Sequence, residues 1–183
     1  MDPIVIIKKY FDEGSMAYKN LIRHSELVRD NAIFIAEKLN KTGKYNVDTQ
    51  FSMEAAMIHD IGIVFCDAKN LGCFGDKPYI LHGVLGRELM EKEGYPKHAL
   101  VCERHVGMGF TVDEIEKQNL PLPKRDMLPV SIEEKIISFS DKFYTKIPEL
   151  LEKKIPIEDV RVQIAKYGAD NLKRFEEMER LFL

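Results

Sequence analysis

Six side chains of metal-binding type recur along this chain: His24, the pair His59-Asp60, His82, His105 and Asp141. The gaps between them are 35, 22, 23 and 36 residues, each long enough for a helix and a connection. Imidazoles mixed with carboxylates suit Mn, Fe, Co, Ni or Zn better than Ca, and affinity alone does not choose among those metals. Six such groups turned inward from five helices are what a bundle needs to hold two ions in its core.

The elements that must position these residues read as helical nearly throughout. Asp2-Pro3 opens a short first helix, with Asp as N-cap and Pro at the first helical position. Ser15 starts a long second helix that Gly43 closes, its apolar stripe running through Leu21, Val28, Ala32, Ile35 and Leu39. Asp48 caps a third, whose nearly continuous apolar run before Gly62 marks a buried helix. From Ile63 to Pro78 no helical period holds, and a loop of about sixteen residues is expected, of the length that usually carries function. A fourth helix spans about Tyr79 to Glu93 and ends at Gly94. A fifth runs from Pro96 to His105. Thr111 and Glu114 form a capping-box pattern, as do Ser131 and Glu134, which open the helix carrying Asp141. Two more helices follow, separated near Gly168. No strand and no internal repeat is evident. The expected fold is all-α, one domain over residues 1–183 with its core at about 20–145 and a helical C-terminal extension.

Composition bounds the function. Hydrophobic residues at 45% and charged residues at 31% describe an ordered globular chain. A net charge of -3, with both signs intermixed, offers no basic face for a nucleic-acid backbone, so no nucleic-acid polymer is expected as partner. No apolar run approaches the roughly 20 residues of a membrane span. The N-terminus makes a poor signal peptide. Cys66, Cys73 and Cys102, an odd number without framework spacing, point to packing residues in a reducing cytoplasm rather than to disulfides or thiolate ligands.

The ligand candidates fall on inward positions. His24 lies three residues after Leu21 and four before Val28. Asp141 follows Ile137 by four and precedes Tyr144 by three. Asp60 ends a buried helix, where a carboxylate must be paired or metal-bound. A lone histidine on an apolar stripe is more often a satisfied core residue, but four such coincidences in one helical domain make that reading improbable. His98, beside Pro96-Lys97 at a helix start, reads as a surface residue.

In this order, His24, His59-Asp60 (within HDIG) and Asp141 resemble the H…HD…D signature of the HD-domain superfamily of metal-dependent phosphohydrolases. The match spans roughly residues 20–145, with His24-Ser25 and Asp141-Lys142 adding to it. The resemblance implies a helical HD-domain bundle in which these four residues gather at one metal. His82, four before Gly86, and His105, before a glycine-rich stretch, are similar to the further ligands of two-metal HD proteins. Asp60 would then bridge two ions, with His24, His59 and Asp141 completing one site and His82 and His105 the other. Two departures stand out. Ile63 and Val64 follow Gly62 where many relatives carry a lysine, and Val106 follows His105 where cyclic-di-GMP phosphodiesterases carry a second histidine.

The function this implies is hydrolysis of a nucleotide or other small phosphate ester by a metal-held hydroxide, with Asp60 and Lys142 as catalytic groups. Phosphate contacts would come from Lys142, Arg87 and Arg104, with Lys69 and Lys77 on the loop. A dinucleoside-tetraphosphate hydrolase and a non-catalytic metal- and nucleotide-binding sensor are the alternatives. The oligomeric state is open, a homodimer being one option.

Overall fold

The structure is a computed structural model that describes residues 1–183. It starts as the caps dictate. Asp2 accepts hydrogen bonds from the backbone N–H groups of Ile4 and Val5 and opens α1, Pro3–Ile7. Ser15 accepts from the Tyr18 N–H and opens α2, Met16–Lys41, and Asp48 accepts from the Phe51 N–H and opens α3, Thr49–Ile58. These side chains take up orphan donors that a helix start leaves free. The rest of the chain gives α4 His82–Lys92, α5 Pro96–Arg104, α6 Val112–Lys117, α7 Ile132–Asp141, α8 Ile157–Ala165 and α9 Ala169–Phe182. The protein is therefore mostly helical. No helix is long and apolar enough to cross a membrane.

The Ile63–Pro78 stretch departs from the expected structureless loop. A 3-10 helix at Ile61–Phe65 runs into it, and a two-residue antiparallel pair, β1 Asp67–Ala68 with β2 Cys73–Phe74, encloses a second at Lys69–Leu71. Two-residue strands carry no alternation to read, so the pattern was invisible in the sequence. Tyr79–Leu81, expected as the first turn of the fourth helix, is also 3-10. Thr111 and Glu114 make both bonds of a capping box. At α7 only half the box forms: Ser131 caps the Glu134 N–H, while the Glu134 carboxylate turns to Val130 N and Arg104.

Beside a smaller apolar cluster around Phe110 and Met127, two large ones build most of the core. One joins Val28, Ala32, Ile35, Ala55, Ala56, Ile137 and Phe139 with Phe175 and Phe182 of the last helix. The other joins Ile6, Ile7, Leu21, Ile58, Ile61, Met90 and Cys102. The seam between them is polar. Leu21 and Val28 belong to different clusters, and His24 lies between them on α2; Ala56 and Ile58 likewise straddle the end of α3, where His59 follows.

Glycine sets how closely the seam closes. A Cβ on Gly62 would lie 2.1 Å from the His82 carbonyl oxygen and 2.4 Å from the Gly86 nitrogen. A Cβ on Gly83 would lie 2.7 Å from the Cys102 carbonyl oxygen. The start of α4 thus packs backbone to backbone on the turn after Asp60 and on α5, an approach only glycine permits. That brings His82 and His105 to the HD pair.

Candidate metal centre

Asp60 sits at the centre of the seam, fully buried, with one pair of imidazoles on each carboxylate oxygen. On Oδ2 the Nε2 atoms of His24 and His59 lie at 3.2 and 3.0 Å. On Oδ1 those of His82 and His105 lie at 3.3 and 3.2 Å. Asp141 Oδ1 closes the first group, 3.0 Å from His24 Nε2 and 3.4 Å from His59 Nε2. The six side chains fall into two sets sharing Asp60, His24/His59/Asp60/Asp141 and Asp60/His82/His105.

The hydrogen bonds fix which ring nitrogens face inward. The Nδ1 atoms of His59, His82 and His105 each lie 2.7 Å from the carbonyl oxygen three residues earlier, those of Ala56, Tyr79 and Cys102. A carbonyl only accepts, so each Nδ1 carries the hydrogen, and in the neutral ring Nε2 presents a lone pair. Three imidazole Nε2 atoms are thereby turned on a carboxylate, and those of His82 and His105 stand 3.1 Å from each other. Asp60 Oδ1 and His59 Nε2 have no aligned hydrogen-bond partner, although both are buried. Unsatisfied buried polar atoms are costly. A cation among them relieves the repulsion. Two donor atoms about 2.1 Å from one tetrahedral ion lie about 3.4 Å apart, close to the 3.0–3.4 Å seen here. The residues present fit divalent metal ions.

Two lysines complete the charge. Lys142 Nζ donates to Asp141 Oδ2 at 2.6 Å and to the His105 carbonyl at 2.9 Å. Lys146 Nζ lies 2.7 Å from Asp60 Oδ2 and 3.8 Å from Asp141 Oδ1. Burial would raise both carboxyls, but His59 and Lys146 beside Asp60, and Lys142 and Lys146 beside Asp141, hold them well below the usual range. Burial likewise opposes charge on His59, yet Asp60 and Asp141 keep it up at about 9. His105 is pushed down to about 3, by burial first and by the charge on His59.

The cluster opens on a pocket of about 660 Å³. Its walls include His82, His105, Asp141 and Lys142, residues 144–147, Lys166 and Tyr167, with Asp67 and Asn70 of the hairpin region. Lys69 and Lys77 are not in its lining and pair with Asp67 and Asp76. Arg87 and Arg104 do not reach it either. Arg87 is held by Glu91 and Glu103 at 2.8 and 2.6 Å, and Arg104 by Glu134 at 2.9 Å. Glu103 and Glu134 are buried carboxylates that need these counter-charges. His98 is also corrected: it is buried, 3.2 Å from Glu54 Oε2 and edge-on to Phe51, because α5 turns that face onto α3. Lys146 and Tyr167 were missed. Lys146 lies past the end of α7, where periodicity says nothing, and its one cue was that buried carboxylates need cations nearby.

Fold and cluster define a class, a mostly helical protein with a buried histidine–aspartate cluster whose residues could hold metal ions. The chain belongs to the family of the uncharacterized protein MJ0778 of Methanocaldococcus jannaschii, to which it is 33% identical over 139 residues, 74% of each chain. It is also 28% identical over 154 residues to a tRNA (cytidine(56)-2'-O)-methyltransferase of Thermoplasma volcanium, and 30% over 122 residues to the protein of the same name in Picrophilus torridus. These matches cover 80% and 66% of this chain but 40% and 30% of those proteins. No family model matches the chain, and no solved structure matches it at a significant level.

These names correct the functional expectation. The two named relatives are methyltransferases, not hydrolases, so the phosphohydrolase reading falls, and the dinucleoside-tetraphosphate alternative with it. Their tRNA substrate also overturns the exclusion of a nucleic-acid polymer. The physical reason is general: a ligand set determines what ion can sit in a site, and the reaction depends on what else is brought there. Nor does net charge exclude RNA when a local lysine cluster provides the contact.

Proposed function

We propose that this chain is an HD-type helical module that holds two divalent transition-metal ions and binds a phosphate-bearing part of tRNA in the adjoining pocket. The observation that carries the reading is the set of imidazole Nε2 atoms converging on the two oxygens of Asp60, with each Nδ1 of His59, His82 and His105 held outward on a carbonyl. The chain order His24, His59-Asp60, Asp141 supports the HD assignment. One ion would be held by His24, His59, Asp60 and Asp141, the other by Asp60, His82 and His105. When bound, such ions supply positive charge to an anionic oxygen.

The tRNA connection is carried over from the names of the two methyltransferase relatives, whose matching segments are part of longer proteins. Methyl transfer to a ribose hydroxyl is displacement at carbon and needs no metal charge at the methyl group. The metal centre is therefore assigned to holding RNA. Lys142 and Lys166 bring ammonium groups to the pocket, and Tyr79, Tyr144 and Tyr167 bring aromatic faces on which an unpaired base can stack. A cytoplasmic location is part of the reading, on the strength of three unpaired thiols.

Filter binding of unmodified tRNA to metal-loaded and chelator-stripped protein tests this. Loaded protein should bind more tightly, and Tyr167→Ala should weaken binding by about 1–3 kcal/mol, the worth of one stacked base. Equal binding by loaded, stripped and Tyr167→Ala protein would overturn the RNA assignment.

A further inference from the structure

We infer that Lys146 is a tethered counter-ion that occupies the first metal position in the metal-free protein and is displaced into the pocket when that ion binds. The inference rests on the metal reading above.

The two lysines at the centre touch different oxygens. Lys142 holds Asp141 Oδ2, the oxygen turned away from the histidines, and is anchored a second time on the His105 carbonyl. Lys146 approaches Asp60 Oδ2 and Asp141 Oδ1. Those are the two oxygens on which His24 and His59 converge. An ion held by His24, His59, Asp60 and Asp141 claims the same two oxygens, and an ammonium and a divalent cation repel at such range. The second set, Asp60 Oδ1 with His82 and His105, has no lysine on it.

The charge count agrees. Two buried carboxylates face two ammonium groups whose side chains are only 11% and 13% exposed, so the metal-free centre already has its carboxylates matched. A divalent ion breaks that balance. Lys142 is anchored on the main chain as well, whereas Lys146 contacts the carboxylates the ion would take and, on the pocket wall, the Tyr79 hydroxyl. It also stands on an irregular stretch between α7 and the 3-10 turn at Pro148–Leu150, and that stretch lines the pocket. A lysine's flexible four-carbon stem lets the ammonium move there, where its charge faces an incoming anion.

The test is calorimetric titration of chelator-stripped protein with Co(II), using wild type, Lys146→Met and Lys146→Arg, alongside thermal melts of the metal-free forms. Lys146→Met should tighten one of two binding events by about tenfold or more, change the other, which shares Asp60, by less, and lower the metal-free Tm. Lys146→Arg, which keeps the charge, should stay close to wild type. Amine acetylation of wild-type protein read by peptide mass spectrometry gives a second measure that needs no variant. Saturating metal should expose Lys146 to the reagent and leave Lys142 as protected as before. Two events unchanged in Lys146→Met, or acetylation of Lys146 indifferent to metal, would overturn the role of Lys146 alone. Absence of any binding event in wild type would remove the metal reading and this inference with it.

Discussion

His82 and His105 present their Nε2 atoms to each other at 3.1 Å, while each anchors its Nδ1 on the carbonyl three residues earlier in the chain. Two rings locked in that tautomer repel unless a cation lies against both. The same i−3 anchor holds His59. Such outer hydrogen bonds orient metal-binding histidines and raise their basicity. Here they come free with the local turn, since each histidine stands at or next to a helix terminus.

Removing either member of that pair should cost one ion. His82→Ala and His105→Ala proteins, stripped and reloaded, should carry about one equivalent of metal by elemental analysis where wild type carries about two. Two equivalents retained in both variants would remove His82 and His105 from the ligand set.

Gly62→Ala should damage fold and site together. Its Cβ would meet the His82 carbonyl oxygen at 2.1 Å, and backbone cannot step aside as a side-chain tip can. A loss of about 1–3 kcal/mol or more in urea unfolding is expected for forced overpacking, with metal affinity falling as α4 is pushed from Asp60. A neutral outcome in both measurements would mean that the α4 crossing does not set the site.

Acid should weaken the turn that carries His105. Asn171 accepts from the Met108 N–H at 2.7 Å, and Arg174 donates to the Gly109 carbonyl at 2.9 Å and to Glu114 at 2.7 Å. Burial pushes the Glu114 carboxyl up, but Arg174 and Thr111 outweigh it and hold it below its ordinary 4.5. Glu54, with Gln50, the Met1 amino group and His98, is held low in the same way against its burial. A carboxyl depressed by folding contributes stability that is complete above its unfolded pKa and is lost as pH falls through the folded value. Stability should therefore decline below about pH 4.5, and Glu114→Gln should flatten that decline while lowering stability at neutral pH. An unchanged acid limb in Glu114→Gln would contradict the assignment.

The cysteines should be inert. All three are buried and unpaired, and burial pushes Cys66 and Cys73 up to about 11 and Cys102 higher still. Thiol reagent at pH 8 should titrate them only after denaturation. Rapid reaction of native protein would point to a thiolate role that the structure does not give them.

Much of this was legible in the sequence because its causes are local. Asp2, Ser15, Asp48 and Thr111 cap their helices through bonds to residues two or three positions on, and the stripe from Leu21 to Leu39 fixes the buried face of α2. His24 and Asp141 followed from the same periodicity. Contacts that depend on tertiary approach were not legible. Glu134 could complete its box or pair with Arg104, and only the packing of α5 on α7 decides. His98 read as surface for want of any sign that Glu54 lay opposite. Lys146 reaches Asp60 from an irregular segment without period. The reaction lay further off still, because a cation site is compatible with many chemistries.

Metal content across one substitution tests the central claim most directly. Asp60 alone contributes an oxygen to both ligand sets, so Asp60→Asn, which keeps the shape and removes the charge, should empty both. Wild-type protein, stripped and reloaded with Co(II) or Zn(II) and freed of excess ion, should hold about two equivalents, and Asp60→Asn nearly none, with far-UV circular dichroism still helical in both. Equal metal content in the two proteins, or none in wild type, would contradict the account.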